Sequence, residues 1–262
     1  MNDLMTKLKC LCEKARLIPL FQALEKQEAS PESIECSFLE RIFCLLEAQI
    51  DNNHISKISR FRKAAKLRWP QASLADYAIK KVLPVKLSKL KDLAECAWVE
   101  NYLHVAITGP TGAGKTHLAS ALADEAILKE YSVICYHFSA LVRDLIIAEK
   151  AGEDILIKLQ KRLIKFRVLM IDDWGIKPLK SHERHLLLEL IELRERNGSL
   201  LITSLYEPSQ WYECFVDKGI ADSSLDRIIP YIDHIDWDKD SYRTELGRQL
   251  MAKSSKGGNK NA

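Results

Sequence analysis

The stretch LHVAITGPTGAGKTHLASALADEA, residues 103–126, decides the fold. LHVAIT (103–108) has the length and apolar content of a short buried strand. GPTGAGKT (109–116) follows as a loop in which Gly109, Gly112 and Gly114 let the backbone curl, so that successive N–H groups converge. Lys115 to Lys129 then predicts a helix with Leu118, Leu122 and Ala126 along one side. A strand, a glycine-rich loop and a helix in that order make a phosphate cradle, because the helix N-terminus adds its positive end to the loop. The alternative is a glycine-rich turn with an incidental lysine, which the flanking strand and amphipathic helix disfavour. Gly109, Pro110, Thr111, Gly112, Ala113, Gly114, Lys115, Thr116 and His117 are therefore the expected nucleotide-binding residues. Lys115 is placed to meet the β- and γ-phosphates and Thr116 to ligate magnesium, so ATP and Mg2+ are the expected cofactors.

A second element follows the same logic. Four apolar residues, Val168 to Ile171, precede Asp172 and Asp173. The end of that strand brings Asp172 near Thr116, where it holds magnesium through water. Asp173 is offset by one residue and is expected to polarise the water that attacks the γ-phosphate. The competing reading of Asp173 is a turn residue before Trp174-Gly175.

Further strands are predicted at 132–138, 168–172 and 199–204, with helices at about 140–150, 153–165 and 182–196 between them. Asn197-Gly198 reads as the stop of the last helix. This alternation gives an α/β fold with a parallel sheet covered by helices on both faces. Residues 101–250 form this domain, and the polar 251–262 tail is expected to be disordered.

Residues 1–69 read as a small all-helical domain. Leu4, Leu8, Leu11, Ala15 and Ile18 recur at helical spacing. A second helix starts at Ser37 with a capping box closed by Glu40, its apolar side marked by Leu39, Ile42, Phe43, Leu46 and Ile50. A third runs from about Asn53 and stops at Pro70. Residues 70–100 look like a basic linker followed by a lead-in helix.

The chain has 262 residues and a net charge of +3, unevenly spread. Residues 53–91 hold 11 Lys/Arg against one acid, while the segments on either side are net negative. Such a block suits a phosphate backbone, so Lys57, Arg60, Arg62, Lys63, Lys66 and Arg68 are the expected DNA contacts; a solvated helix face is the plainer alternative. No apolar run is long enough to span a membrane, and Asp3, Lys7 and Lys9 interrupt any signal-peptide pattern, which points to the cytoplasm. Seven cysteines without a CxxC pair read as packing residues, and the five tryptophans mostly likewise.

Several segments in order resemble the AAA+ ATPases of the IstB/DnaC type, and most closely the IstB-like helper ATPases of insertion sequences. They are RFRKAAKLRWPQASLADY (60–77), GPTGAGKTHLASALADEA (109–126), LMIDDWGIKPL (169–179), LITSLYEPSQWYECF (201–215) and IADSSLDRII (220–229). The resemblance covers nearly the whole chain. It implies that Arg227 is an arginine finger reaching a neighbouring subunit's ATP site, and that Arg243 in DSYR (240–243) is a late sensor arginine. At the first sensor, Thr203 and Ser204 are followed by Leu205 where the family often has Asn or Gln. Leucine cannot hydrogen-bond a phosphate, so Thr203 or Ser204 takes that role or hydrolysis is slow.

The implied function is a DNA-binding ATPase that assembles on duplex DNA as a ring or filament and assists a cognate transposase. A replicative helicase loader of DnaC type shares the core and stands as the alternative. A small-molecule P-loop kinase fits poorly, since 108 residues precede Gly109. A nucleotide switch without turnover is a further rival, suggested by Leu205.

Overall fold

The computed structural model describes residues 2–31, 35–78, 83–214 and 225–237. Arg243, the 251–262 tail and the first part of the 220–229 motif lie outside the described residues. The chain divides into two compact units, 1–60 and 61–262, a division that falls inside a helix rather than after it.

In the first unit α1 (Asn2–Ala15) and α2 (Ile18–Ala29) meet at a break, and α3 spans Phe38–Ala65. The predicted first helix stops short of Ile18 because Arg16 turns left-handed at φ 60° and Pro19 starts the next helix. The predicted second and third helices are one continuous helix of 28 residues. Its capping box forms as expected: Ser37 N–H donates to Glu40 Oε2 at 2.7 Å, and Glu40 N–H donates to Ser37 Oγ at 3.3 Å. The apolar stripe behaves differently. Leu39, Ile42, Phe43, Leu46 and Ile50 are exposed, while Leu45, Gln49 and Ile58 are buried. Gln49 is buried because its Oε1 accepts from Leu20 N–H and its Nε2 donates to Asn53 Oδ1.

In the second unit α3 ends at Ala65, where Lys66 turns left-handed at φ 53°, so the helix stops before Pro70 is reached. Residues 66–78, predicted as linker beyond Pro70, contain the short α4 (Ala75–Ala78) and bury Ala72 and Tyr77. Next come α5 (Leu87–Ala94), α6 (Ala97–Glu100), β1 (His104–Thr108) and α7 (Lys115–Leu128). Then follow β2 (Val133–His137), α8 (Phe138–Ala151), α9 (Glu153–Ile164) and β3 (Val168–Trp174). The run closes with α10 (Ser181–Arg194), β4 (Ser199–Ser204) and β5 (Ile232–Asp236). Among the described residues the five strands are all parallel, in the order β2-β3-β4-β1-β5.

The fifth strand is not among the sequence predictions. Its residues IDHID carry acids at 233 and 236 and show no period-2 alternation, and as an edge strand it has one pairing neighbour and one buried side chain, Ile235. Successive side chains of β3 serve opposite faces. Leu169 and Ile171 join the core formed with α8, α9 and α10. Asp172 points to the other face, where it meets Thr116 of α7.

Buried polar groups fix the ends of these elements. Arg194, the last residue of α10, donates to the carbonyls of Leu163, Phe166 and Ser199, tying α9, α10 and β4 together. Burial pulls its guanidinium down to about 10. Gly198 is required by this staple, since a Cβ there would stand 2.5 Å from Arg194 Nη2. The left-handed residue after α10 is Arg196, so Gly198 serves close approach rather than helix termination. Cys12 and Cys96 are buried, whereas Cys10, Cys36 and Cys44 are exposed, so packing accounts for only some of the cysteines. Among the described residues no helix is long and apolar enough to cross a membrane.

His104, buried at the start of β1, accepts from Leu200 N–H at 3.2 Å. Burial, helped by the Arg194 charge, pulls its pKa down to about 4. The unfolded chain binds this proton more readily, so the neutral imidazole stabilises the fold above about pH 6.5, and that contribution is lost as pH falls toward 4. The expected size is on the order of 2–3 kcal/mol. Thermal denaturation between pH 7 and pH 4 measures it; His104→Asn should flatten the slope, and an identical pH profile in the two proteins would rule the imidazole out as its source.

Candidate nucleotide site

The loop between β1 and α7 is closed by Trp237, which directly follows β5. Trp237 N–H donates to Thr108 O at 2.7 Å, and its indole Nε1–H donates to Ala113 O at 3.0 Å. One residue thereby holds the loop at both ends. Its backbone passes so close that a Cβ on Gly109 would stand 2.3 Å from Trp237 O, and Gly109 itself has φ 143°. The first glycine is therefore fixed by the β5 end as much as by the loop's own turn. Gly112 and Gly114 also have positive φ, at 86° and 99°. Lys115 is buried and its Nζ donates to Gly109 O at 2.8 Å and Pro110 O at 2.9 Å, which places the ammonium over the loop.

One carboxylate organises the far side. Asp172 Oδ1 accepts from Thr116 Oγ1 at 2.8 Å and from Thr203 Oγ1 at 2.5 Å. An aspartate carboxylate beside a threonine hydroxyl is a hard oxygen pair, the chemistry that suits magnesium shared with phosphate oxygens. The loop, Lys115 and this pair fit Mg-ATP: Thr116 and Asp172 would hold the metal, and Lys115 the phosphates.

Asp173 is set apart from Asp172 by a β-bulge. Ile171 pairs with Ile202, but the next registered pair is Trp174 with Ser204, so β3 carries one residue more than β4 over this interval. Asp173 lies there at φ 59°, and its N–H donates to Thr203 Oγ1 at 3.0 Å. The bulge turns two consecutive acids in different directions. Asp173 Oδ2 lies 3.3 Å from His137 Nε2 at the end of β2. Thr203 touches both acids, whereas Ser204 Oγ donates to Trp174 O and accepts from Tyr206 N–H, away from them.

The 66–78 segment forms a wall over the first turn of α7. Tyr77 Oη is 2.8 Å from His117 Nδ1, and its ring meets Trp237 edge-on at 5.6 Å. Burial raises the Tyr77 pKa. Trp69 lies 5.9 Å from the His117 ring. Arg68 Nη1 is 3.7 Å from Asp172 Oδ2, so this residue, expected at DNA, stands at the carboxylate that Thr116 and Thr203 also meet. Arg62, also expected at DNA, forms a two-pronged pair with Asp124 on α7. Arg60, Lys63 and Lys66 are exposed and Lys57 is half-buried. Arg227 is paired with Glu192 at 3.2 Å and Glu195 at 2.8 Å.

His137 and Trp237 stand outside every sequence motif, and Tyr77 only closes the basic segment 60–77 without a role of its own there. His137 alone had a signal: it ends the strand beside Asp172, with which it is in register. Tyr77 and Trp237 come from parts of the chain whose approach to the loop no local pattern encodes.

A parallel sheet in this order, a glycine loop on an α-helix and paired strand-end acids define an AAA+ P-loop nucleotide-binding protein. The family model for the IstB-like ATP binding protein matches residues 10–249, and the chain belongs to that family. The insertion sequence IS1162 protein of Pseudomonas fluorescens, named for ATP binding, is 34% identical over 72% of this chain and 81% of its own. The insertion-sequence ATP-binding protein y4pL of Sinorhizobium fredii is 30% identical over 89% of this chain and 94% of its own. Among solved structures, the DnaC helicase loader superposes with a TM-score of 0.56 at 22% identity, covering 66% of this chain and all of that one. AMPPCP-bound DnaA from Aquifex aeolicus gives 0.54 at 17% identity, over 72% of this chain and 56% of that one. At these identities the structural likeness speaks to the fold.

Thr203→Val keeps the shape but removes the hydroxyl shared by Asp172 and the Asp173 N–H. It is expected to cost about 1–3 kcal/mol of stability. Denaturant titration checks this, and Thr203→Ser should recover most of the loss; equal stability of the valine variant would show that the hydroxyl is dispensable.

Proposed function

We propose that the chain is a DNA-binding ATPase that assembles on duplex DNA when ATP is bound and assists a transposase. The observation that carries the catalytic part is the bulge at Asp173. It gives a second carboxylate its own direction beside the Thr116–Asp172 pair, as an in-line water requires. A bound magnesium would supply charge neutralisation between the β- and γ-phosphates.

In this reading Lys115 and the loop N–H groups hold the phosphates, and Asp173 accepts the proton of the attacking water. Thr203 keeps the two acids in register, which offsets the loss of a polar side chain at Leu205. Arg227 enters from the neighbouring subunit and meets charge that develops on the γ-phosphate, exchanging its ion pairs with Glu192 and Glu195 for that contact. Such a head-to-tail contact propagates into a ring or filament.

DNA contact rests on the exposed cations Arg60, Lys63 and Lys66 at the basic end of α3 and just beyond it. The insertion-sequence names of the relatives support a transposase as the partner.

Sedimentation with ATP and magnesium, on matched duplex and single-stranded DNA, tests the assembly. Wild type should form large particles on duplex, and Lys115→Ala should form none. Particles restricted to single strands would favour a helicase-loader role instead. Arg227→Ala is expected to bind ATP normally while phosphate release falls about 10^3-fold or more. Normal turnover by that variant would remove Arg227 from the active site.

A further inference from the structure

Arg68 belongs to none of the phosphate-binding motifs, yet its guanidinium is brought to the carboxylate on which the site is built. Asp172 Oδ1 is occupied by two hydroxyls, from Thr116 and Thr203. Oδ2 is the oxygen left for a cation, and Arg68 Nη1 stands 3.7 Å from it.

The side chain of Arg68 is 54% exposed, so packing around it does not fix its place. The backbone does. Lys66 ends α3 in a left-handed turn. One residue beyond Arg68, Trp69 lies against His117. Tyr77 is buried, with its hydroxyl on His117 Nδ1 and its ring on Trp237. Residues 66–78 are thereby strapped across the start of α7, and Arg68 is the strap's cation on the phosphate side.

A guanidinium is a planar fork of donors that matches phosphate oxygens better than a single carboxylate oxygen at 3.7 Å. Once Asp172 is committed to a divalent cation, its charge no longer holds Arg68. With Asp172 holding a divalent cation, a γ-phosphate would be the anion left for the Arg68 guanidinium to meet.

We propose that Arg68 is a phosphate ligand supplied in cis by the 66–78 strap, and that it selects the nucleotide carrying a γ-phosphate. The inference rests on the reading of Lys115, Thr116 and Asp172 as the Mg-ATP site. It assigns a nucleotide role to a residue whose charge pattern alone points to DNA.

Calorimetric titration of the full chain with a non-hydrolysable ATP analogue and with ADP, both with magnesium, tests it. For Arg68→Gln the analogue should bind roughly 10- to 100-fold more weakly, while ADP affinity stays within about twofold. The unchanged ADP affinity also reports an intact fold. Arg68→Lys keeps the charge without the fork and should fall between the two. Equal loss for both nucleotides, no change for either, or tighter binding of the analogue would overturn the assignment. If wild type binds neither nucleotide, the reading of the whole site fails with it; if wild type binds both and Arg68→Gln behaves identically, the γ-phosphate role alone fails.

Discussion

Three elements of the second unit meet at one carboxylate oxygen. Asp172 Oδ1 accepts from Thr116 at the start of α7 and from Thr203 near the end of β4, while Asp172 itself ends the regular part of β3. A carboxylate as buried as this one costs several kcal/mol unless its lone pairs are satisfied, so the two hydroxyls are structural as well as chemical. They set how far α7 stands from the sheet. They also fix where β3 leaves its register, because Thr203 accepts the Asp173 N–H in the same motion. The bulge that aims Asp173 is therefore a consequence of how Asp172 is satisfied.

The opposite wall of the site is set by distance rather than charge. Trp237 bonds the backbone on both sides of the glycine loop, and that closeness leaves no space for a side chain at Gly109. Tyr77 packs on Trp237 and bonds His117, so the loop, the edge strand and the 66–78 strap form one hydrogen-bonded and aromatic unit. Tyr77 and Trp237, far apart in the chain, thus meet beside the same glycine loop.

The first unit follows different rules. Its long helix α3 turns Leu39, Phe43, Leu46 and Ile50 outward and buries Leu45 and Gln49 instead. Periodicity identifies an apolar stripe, but it does not say whether the stripe or the adjoining row meets the rest of the protein. Here the deciding term is the pair of hydrogen bonds that satisfies Gln49 against α2 and within α3.

By itself the sequence determined the strand–loop–helix at 103–126, the acids at 172 and 173, four of the five strands and the capping box at Ser37. All of these are local: a period of two or 3.6, a glycine spacing, or a cap three residues from its partner. Only the tertiary structure decided the rest. The edge strand at 232–236 gains its conformation from pairing with β1, since IDHID, with acids at 233 and 236, carries no strand signal of its own. Arg68 reads as one more charge in a basic run, and it reaches Asp172 because Trp69 and Tyr77 are held on His117, about 40 or more residues away along the chain. His137 meets Asp173 only because parallel pairing ends β2 and β3 side by side and a bulge turns the acid toward it. Contacts of this kind depend on where distant segments come to rest, and no spacing within a segment encodes that.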